Sequence, residues 1–138
     1  MNGVDFLDTN ILVYAYQYTD SRKQRIAHDL VRRAVAERWV ISSQVLAEFA
    51  TTLLQKFSQP PTPEELNAIL DRLESIKLVL PDMELIRRAI QARTSYRLHF
   101  YDGLIVAAAE RADCSRIFSE DFSDGQQYFG ITVSNPFQ

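Results

Sequence analysis

Apolar residues along the chain fall into short runs separated by longer stretches with helical spacing. "VDFL" at 4–7 is a short apolar-rich run, and the "DTNILVYAYQY" that follows places capping residue types ahead of a helical pattern. That order predicts a strand feeding directly into a helix. Over 21–38, Ile26, Leu30, Val31 and Val35 recur at helical spacing and predict a second helix. "WVIS" at 39–42 predicts another short buried strand, and Ser42 or Ser43 can cap a helix whose apolar face is Val45, Leu46, Phe49, Ala50, Leu53 and Leu54. "SQPPTPEEL" holds three of the five prolines and is a connection, with Thr62, Pro63 and Glu65 as the cap and first turn of a helix through about Ile76. "KLVL" at 77–80 is a third strand, Pro81 and Asp82 open a helix to about Tyr96, and the alanine-rich "YDGLIVAAAERA" at 101–112 reads as a helix packed close to a sheet. "SRIFS" and "GITV" supply two further strands. No period of 20–50 residues recurs. Short apolar strands alternating with helices predict an α/β fold whose parallel sheet is covered on both faces.

Length and composition narrow this picture. A chain of 138 residues, 46% of them hydrophobic, suits a single domain over 1–138 with one buried core. The lone Cys114 has no internal partner for a disulfide, and it reads as a small packed residue. With no cleavable leader pattern and no apolar run near the roughly 20 residues that span a bilayer, a cytoplasmic protein outside the membrane is expected. The net charge of −3 lacks the overall basic character of many nucleic-acid binders. Arginines and lysines nonetheless crowd two segments, Arg22, Lys23, Arg25, Arg32, Arg33 and Arg38 in one, and Arg87, Arg88, Arg93 and Arg97 in the other. They form either solvated helix faces or local basic surfaces beside an acidic pocket.

Ligand crevices of such sheets lie beyond the carboxyl ends of the strands, which selects the acids to inspect. Asp8 follows the first strand and Asp121 follows "RIFSE", so both fall near that edge. Glu48 lies two turns into the helix after "WVIS", sharing a polar face with Gln44, Thr51 and Gln55. Asp102 sits in the first turn of the alanine-rich helix, where the helix dipole already favours a carboxylate. Taken singly, these are two caps, a solvated helix residue and a turn residue. Brought together they repel and raise one another's pKa unless a cation joins them. Carboxylate oxygens without a His or Cys cluster suit Mg²⁺ or Mn²⁺, since His28 and His99 do not make a zinc site. Such an ion serves phosphodiester hydrolysis. Neither G-x-G-x-x-G, nor a P-loop, nor a G-x-S-x-G elbow is present.

Four stretches in order, "FLDTNILVYA", "SSQVLAEF", "YDGLIVAAA" and "FSEDF", resemble the PIN-domain ribonucleases, and particularly the VapC-type toxins of type II toxin–antitoxin pairs. The resemblance covers essentially the whole chain. It implies a three-layer α/β/α sandwich with a five-stranded parallel sheet and metal-dependent endonucleolytic cleavage of RNA. Carried over by position, Asp8, Glu48, Asp102 and Asp121 are the acidic metal-binding and catalytic set, supported by Asn10 and Ser119 with Thr9 adjoining. It also implies a homodimer restrained by a small cognate antitoxin, whose contacts would fall on the 21–38 helix and the 45–76 region. Tyr14, Tyr16, Tyr18, Tyr96, Phe100 and Tyr101 are candidates for stacking on RNA bases. The alternatives are a PIN-like RNA- or protein-binding module without catalysis, and a receiver or aspartyl phosphatase. "DTN" in place of D-x-D disfavours the last.

Overall fold

A computed structural model describes residues 3–17 and 19–138. The elements follow in the order β1 (Val4–Leu7), α1 (Thr9–Ala15), α2 (Ser21–Glu37), β2 (Val40–Ser42), α3 (Ser43–Gln55), α4 (Pro63–Leu73), β3 (Lys77–Val79), α5 (Met83–Tyr96), α6 (Phe100–Arg111), β4 (Cys114–Phe118), β5 (Gln127–Tyr128) and β6 (Ile131–Ser134). Among the described residues one sheet forms, in the order β3-β2-β1-β4-β6-β5. The first five of these strands pair in parallel, as the sequence pattern requires. The sheet differs from the expected five-stranded one by a sixth strand. The two-residue β5 adds antiparallel to β6, with Tyr128 opposite Ile131, because the turn at Phe129 and Gly130, both at positive φ, folds the chain back on itself. A hairpin arm so short carries no apolar periodicity.

Side chains decide how each element packs. Phe6 and Leu7 of β1, Ile41 of β2 and Ile117 of β4 are sealed in the core, as expected for strands covered on both faces. From β1 the chain steps to β2 and β3, then returns past β1 to β4. Right-handed crossovers therefore place α1 to α4 on one face and α5 and α6 on the other. Contacts agree, with α1 against α2 and α3, α3 against β2, and α6 lying across β2, β4 and β6. The alanine run of α6, Ala107 to Ala109, is buried because small side chains let the helix sit close to the sheet. At Gly103 the approach is tighter still, since a Cβ there would lie 2.6 Å from the carbonyl oxygen of Ala89 on α5. Helix α4 begins with the capping box read from the sequence, Thr62 accepting from the Glu65 N–H and Glu65 accepting from the Thr62 N–H, and stops at Leu73, short of the expected Ile76. No helix among the described residues is long and apolar enough to cross a membrane.

Candidate active site

The reversal of chain direction lies between β1 and β4, the topological switch point where α/β sheets bind ligands. Leu7 is paired with Phe118 in register, so the residues that follow, Asp8 and Ser119, emerge side by side at the carboxyl edge. The Asp8 N–H donates to the Phe118 carbonyl at 3.0 Å, which carries the pairing one residue past the strand. The acid at the end of the apolar run is both a cap and a buried group. Asp8 is the N-cap of α1, accepting from the Thr9 N–H at 2.7 Å, and it is only 6% exposed.

Ser119, fully buried, organises the centre. Its hydroxyl donates to Asp8 Oδ2 at 2.7 Å and accepts from the Asp121 N–H at 3.0 Å and from Asn10 Nδ2 at 3.3 Å. Asn10 also donates to Asp121 Oδ2 at 3.1 Å and accepts from the Glu120 N–H at 3.1 Å. The two supporting residues read from the sequence thus tie the loop after β4 to the start of α1. Burial, followed by the charges of Asp121 and Asp102, pushes the Asp8 carboxyl up to about 7 against the pull of its Ser119 and Thr9 hydrogen bonds. Burial also raises Asp102, the His99 charge beside it lowers it, and Asp121 raises it. Asp8, Asp102 and Asp121 therefore share one field of negative charge. None of the three is paired with a cationic side chain among the described residues.

Glu48 joins by a different route. Gln44, one turn before it on α3, donates from Nε2 both to Glu48 Oε1 at 2.7 Å and to the Tyr101 carbonyl at 3.1 Å, linking the Glu48 face of α3 to the first turn of α6 next to Asp102. Glu48 is exposed, and the carboxylate charges that raise Asp8 are those of Asp121 and Asp102. Among the described residues no three His, Cys, Asp or Glu side chains converge closely enough to form a complete metal cage. The donor set still fits Mg²⁺ or Mn²⁺: all donors are hard oxygens, one of them is an unpaired buried carboxylate, and Mg²⁺ is ordinarily held by one or two carboxylates and several waters.

Glu120 was not singled out in the sequence. It accepts from the Tyr14 hydroxyl at 2.7 Å and pairs with Lys23 of α2, anchoring the 119–121 loop from its far side. Contacts across about a hundred residues of sequence leave no local pattern to read. Asp124 accepts from the Asn135 N–H at 2.7 Å, a turn role. Burial pushes the Cys114 thiol up to about 12, so it is packed and unreactive. Of the candidate stacking rings, Tyr14 meets Phe137, Tyr96 meets Tyr128 and Phe129, and Tyr16 leans on Phe49, whereas Tyr101 is 66% exposed beside Asp102. Tyr18 lies outside the described residues.

Solved structures of the same architecture align over nearly the whole chain. A toxin–antitoxin complex from Klebsiella pneumoniae matches with a TM-score of 0.70 at 18% identity, covering 96% of this chain and 97% of its own. VapC20 of Mycobacterium tuberculosis, described as a sarcin–ricin-loop-cleaving toxin, matches with a TM-score of 0.65 at 19% identity, covering 93% of this chain and 98% of its own. VapBC2 of Rickettsia felis, solved on a DNA fragment of its promoter, matches with a TM-score of 0.65 at 20% identity, covering 96% and 98%. At such identities the likeness establishes the fold. A sequence comparison with curated proteins finds no match. The PIN-domain family model spans residues 6–123, from the first strand through the loop that carries Ser119 and Asp121, and on that match the chain belongs to the PIN-domain family.

Proposed function

We propose that the protein is a Mg²⁺- or Mn²⁺-dependent endoribonuclease, the toxin of a toxin–antitoxin pair. The observation that carries this reading is the Asp8 carboxylate, buried at the switch point in the field of Asp102 and Asp121 with no cation beside it. Such a charge is costly unless a cation is supplied from outside. Asp8 and Asp102 would hold the ion directly, with Glu48 and Asp121 acting through water or a second ion. A divalent ion there supplies a water of lowered pKa and neutralises charge on the phosphodiester.

The chain's own part is positioning. Ser119 and the Thr9 N–H fix both oxygens of Asp8, Asn10 holds Asp121, and Gln44 sets Glu48 against the start of α6. Tyr101 offers an exposed ring beside Asp102 on which a base can stack. Attack by water on phosphorus leaves a 5′-phosphate and a 3′-hydroxyl, and the 2′-hydroxyl is not the nucleophile. An RNA substrate and a cognate antitoxin belong to the same proposal, supported by the toxin and toxin–antitoxin descriptions of its structural neighbours, and a homodimer and a cytoplasmic location belong to it as what the resemblance implies.

One observation favours a second reading, a PIN-like module that binds RNA or protein without cutting it: the carboxylates do not by themselves form a closed cage. Cleavage of total RNA by purified protein separates the two. Discrete fragments that require Mg²⁺ or Mn²⁺, stop with EDTA and vanish in Asp8→Asn support the nuclease. Absence of cutting under every metal supports the binding module.

A further inference from the structure

An acidic site in a chain of net charge −3 repels the polyanion it would have to hold, so positive potential is needed close by. A cleft of 510 Å³ supplies it, lined by Arg93, Thr94, Arg97, Leu98 and His99 at the turn between α5 and α6. We propose that Arg93, Arg97 and His99 form a phosphate-binding subsite that holds the RNA backbone one or more nucleotides from the acids. This rests on the nuclease reading and specifies where its substrate lies.

The cleft together with the pairing singles these out, since Arg87 on α5 also lacks a carboxylate partner among the described residues but does not line the cleft. On the same two helices Arg88 forms a two-bond pair with Glu110 at 2.7 Å, and Arg111 pairs with Asp82 at 2.7 Å. Arg93 and Arg97 have no carboxylate partner among the described residues. Arg93 stands in the last turn of α5 and Arg97 is its C-cap, and both line the cleft. Cations there also suit the helix dipole, which explains their tolerance but not their convergence with a histidine on one cleft.

The basic cleft along α2 is neutralised from within. Along α2 the cleft of Gln24, Arg25, His28, Asp29 and Arg32 includes its own acid, and Arg32 bonds Asp29 at 3.1 Å. The α5–α6 cleft has no acidic lining. Its walls are also fixed: Arg97 is the left-handed C-cap of α5 at φ 57°, and the close Ala89–Gly103 approach locks α5 to α6. His99, the N-cap of α6, makes no side-chain capping bond. It stands three residues before Asp102 and its charge reaches that carboxylate. The cleft therefore reaches the N-terminus of α6, whose first turn carries Asp102, and guanidinium forks match phosphate oxygens in pairs.

The test is anisotropy of a labelled single-stranded RNA bound to the Asp8→Asn protein, which leaves the RNA intact, across a series of salt concentrations. Adding Arg93→Ala and Arg97→Ala should lower the slope of log affinity against log salt by about 1.4, two contacts at about 0.7 each on single strands. Affinity at 0.1 M salt should fall at least tenfold. Arg93→Glu alone, an exposed change that spares the Arg97 helix end, should also lower the slope. Unchanged slopes and affinities in both variants overturn the subsite. If they are unchanged while Asp8→Asn still abolishes cleavage by the otherwise native chain, the subsite alone fails. If Asp8→Asn leaves cleavage intact, the nuclease reading fails instead.

Discussion

Replacing Asp8 with Asn should make the metal-free protein less sensitive to rising pH, and the size of the change follows from the site. A carboxyl that titrates at 3.8 in the unfolded chain and at about 7 in the folded one keeps its proton only in the folded state between those values. The folded state binds more protons there, so stability falls as pH rises from 3.8 through 7 and is flat above. At about 1.4 kcal/mol per unit, the whole window is worth roughly 4 kcal/mol, and the part between pH 5 and pH 8 roughly 2–3 kcal/mol. Asparagine removes this dependence. It also disturbs the Ser119 hydroxyl, which donates to Asp8 Oδ2 and already accepts two hydrogen bonds, but that cost does not vary with pH and cancels in the comparison. The assay is urea unfolding of both proteins in EDTA at pH 5 and pH 8. The native protein should lose about 2–3 kcal/mol more than Asp8→Asn between the two. Parallel losses, within about 0.5 kcal/mol, would refute the buried, charge-coupled picture of Asp8.

Ser119→Ala strips Asp8 Oδ2 of its donor and leaves the Asp121 N–H without its acceptor, so it should cost about 1–3 kcal/mol and lower the melting temperature; calorimetry checks this, and an unchanged melting point would contradict the assigned network. Gly103→Ala places a Cβ 2.6 Å from the Ala89 carbonyl oxygen, so α5 and α6 must separate at an overpacking cost of about 1–3 kcal/mol. Because Asp102 is its neighbour in sequence, RNA cleavage should fall as well, and full stability with full activity would show that the helices have room. Addition of Mn²⁺ at pH 8 should stabilise the native protein but not Asp8→Asn, by about 2.7 kcal/mol of unfolding free energy at a hundred times the dissociation constant, and raise its melting temperature accordingly; equal shifts in both would place the ion elsewhere.

The strands and helices were legible because burial on both faces leaves a local mark: apolar runs such as "VDFL" and "WVIS", and helical spacing in the 21–38 and 45–54 stretches, match β1, β2, α2 and α3 to within a residue or two. Helix ends were less so. Two stop without glycine in the left-handed conformation, at Arg38 and Arg97, where the residue type does not announce the turn. β5 escaped because two residues, one exposed and one buried, show no period. The candidate site was visible as acids at strand and helix ends, and Asp8, Asp102 and Asp121 do share one field. The routes that hold it were not. Gln44 to the Tyr101 carbonyl, and Glu120 to Tyr14 and Lys23, join residues far apart in sequence.

The most direct measurement is the chemistry of the cut ends when purified protein meets a labelled RNA in Mn²⁺, with EDTA and Asp8→Asn as controls. Fragments bearing 5′-phosphate and 3′-hydroxyl ends, absent from both controls, are what an acid-held metal site predicts. Fragments ending in a 2′,3′-cyclic phosphate, or cleavage that survives EDTA and Asp8→Asn alike, would contradict it.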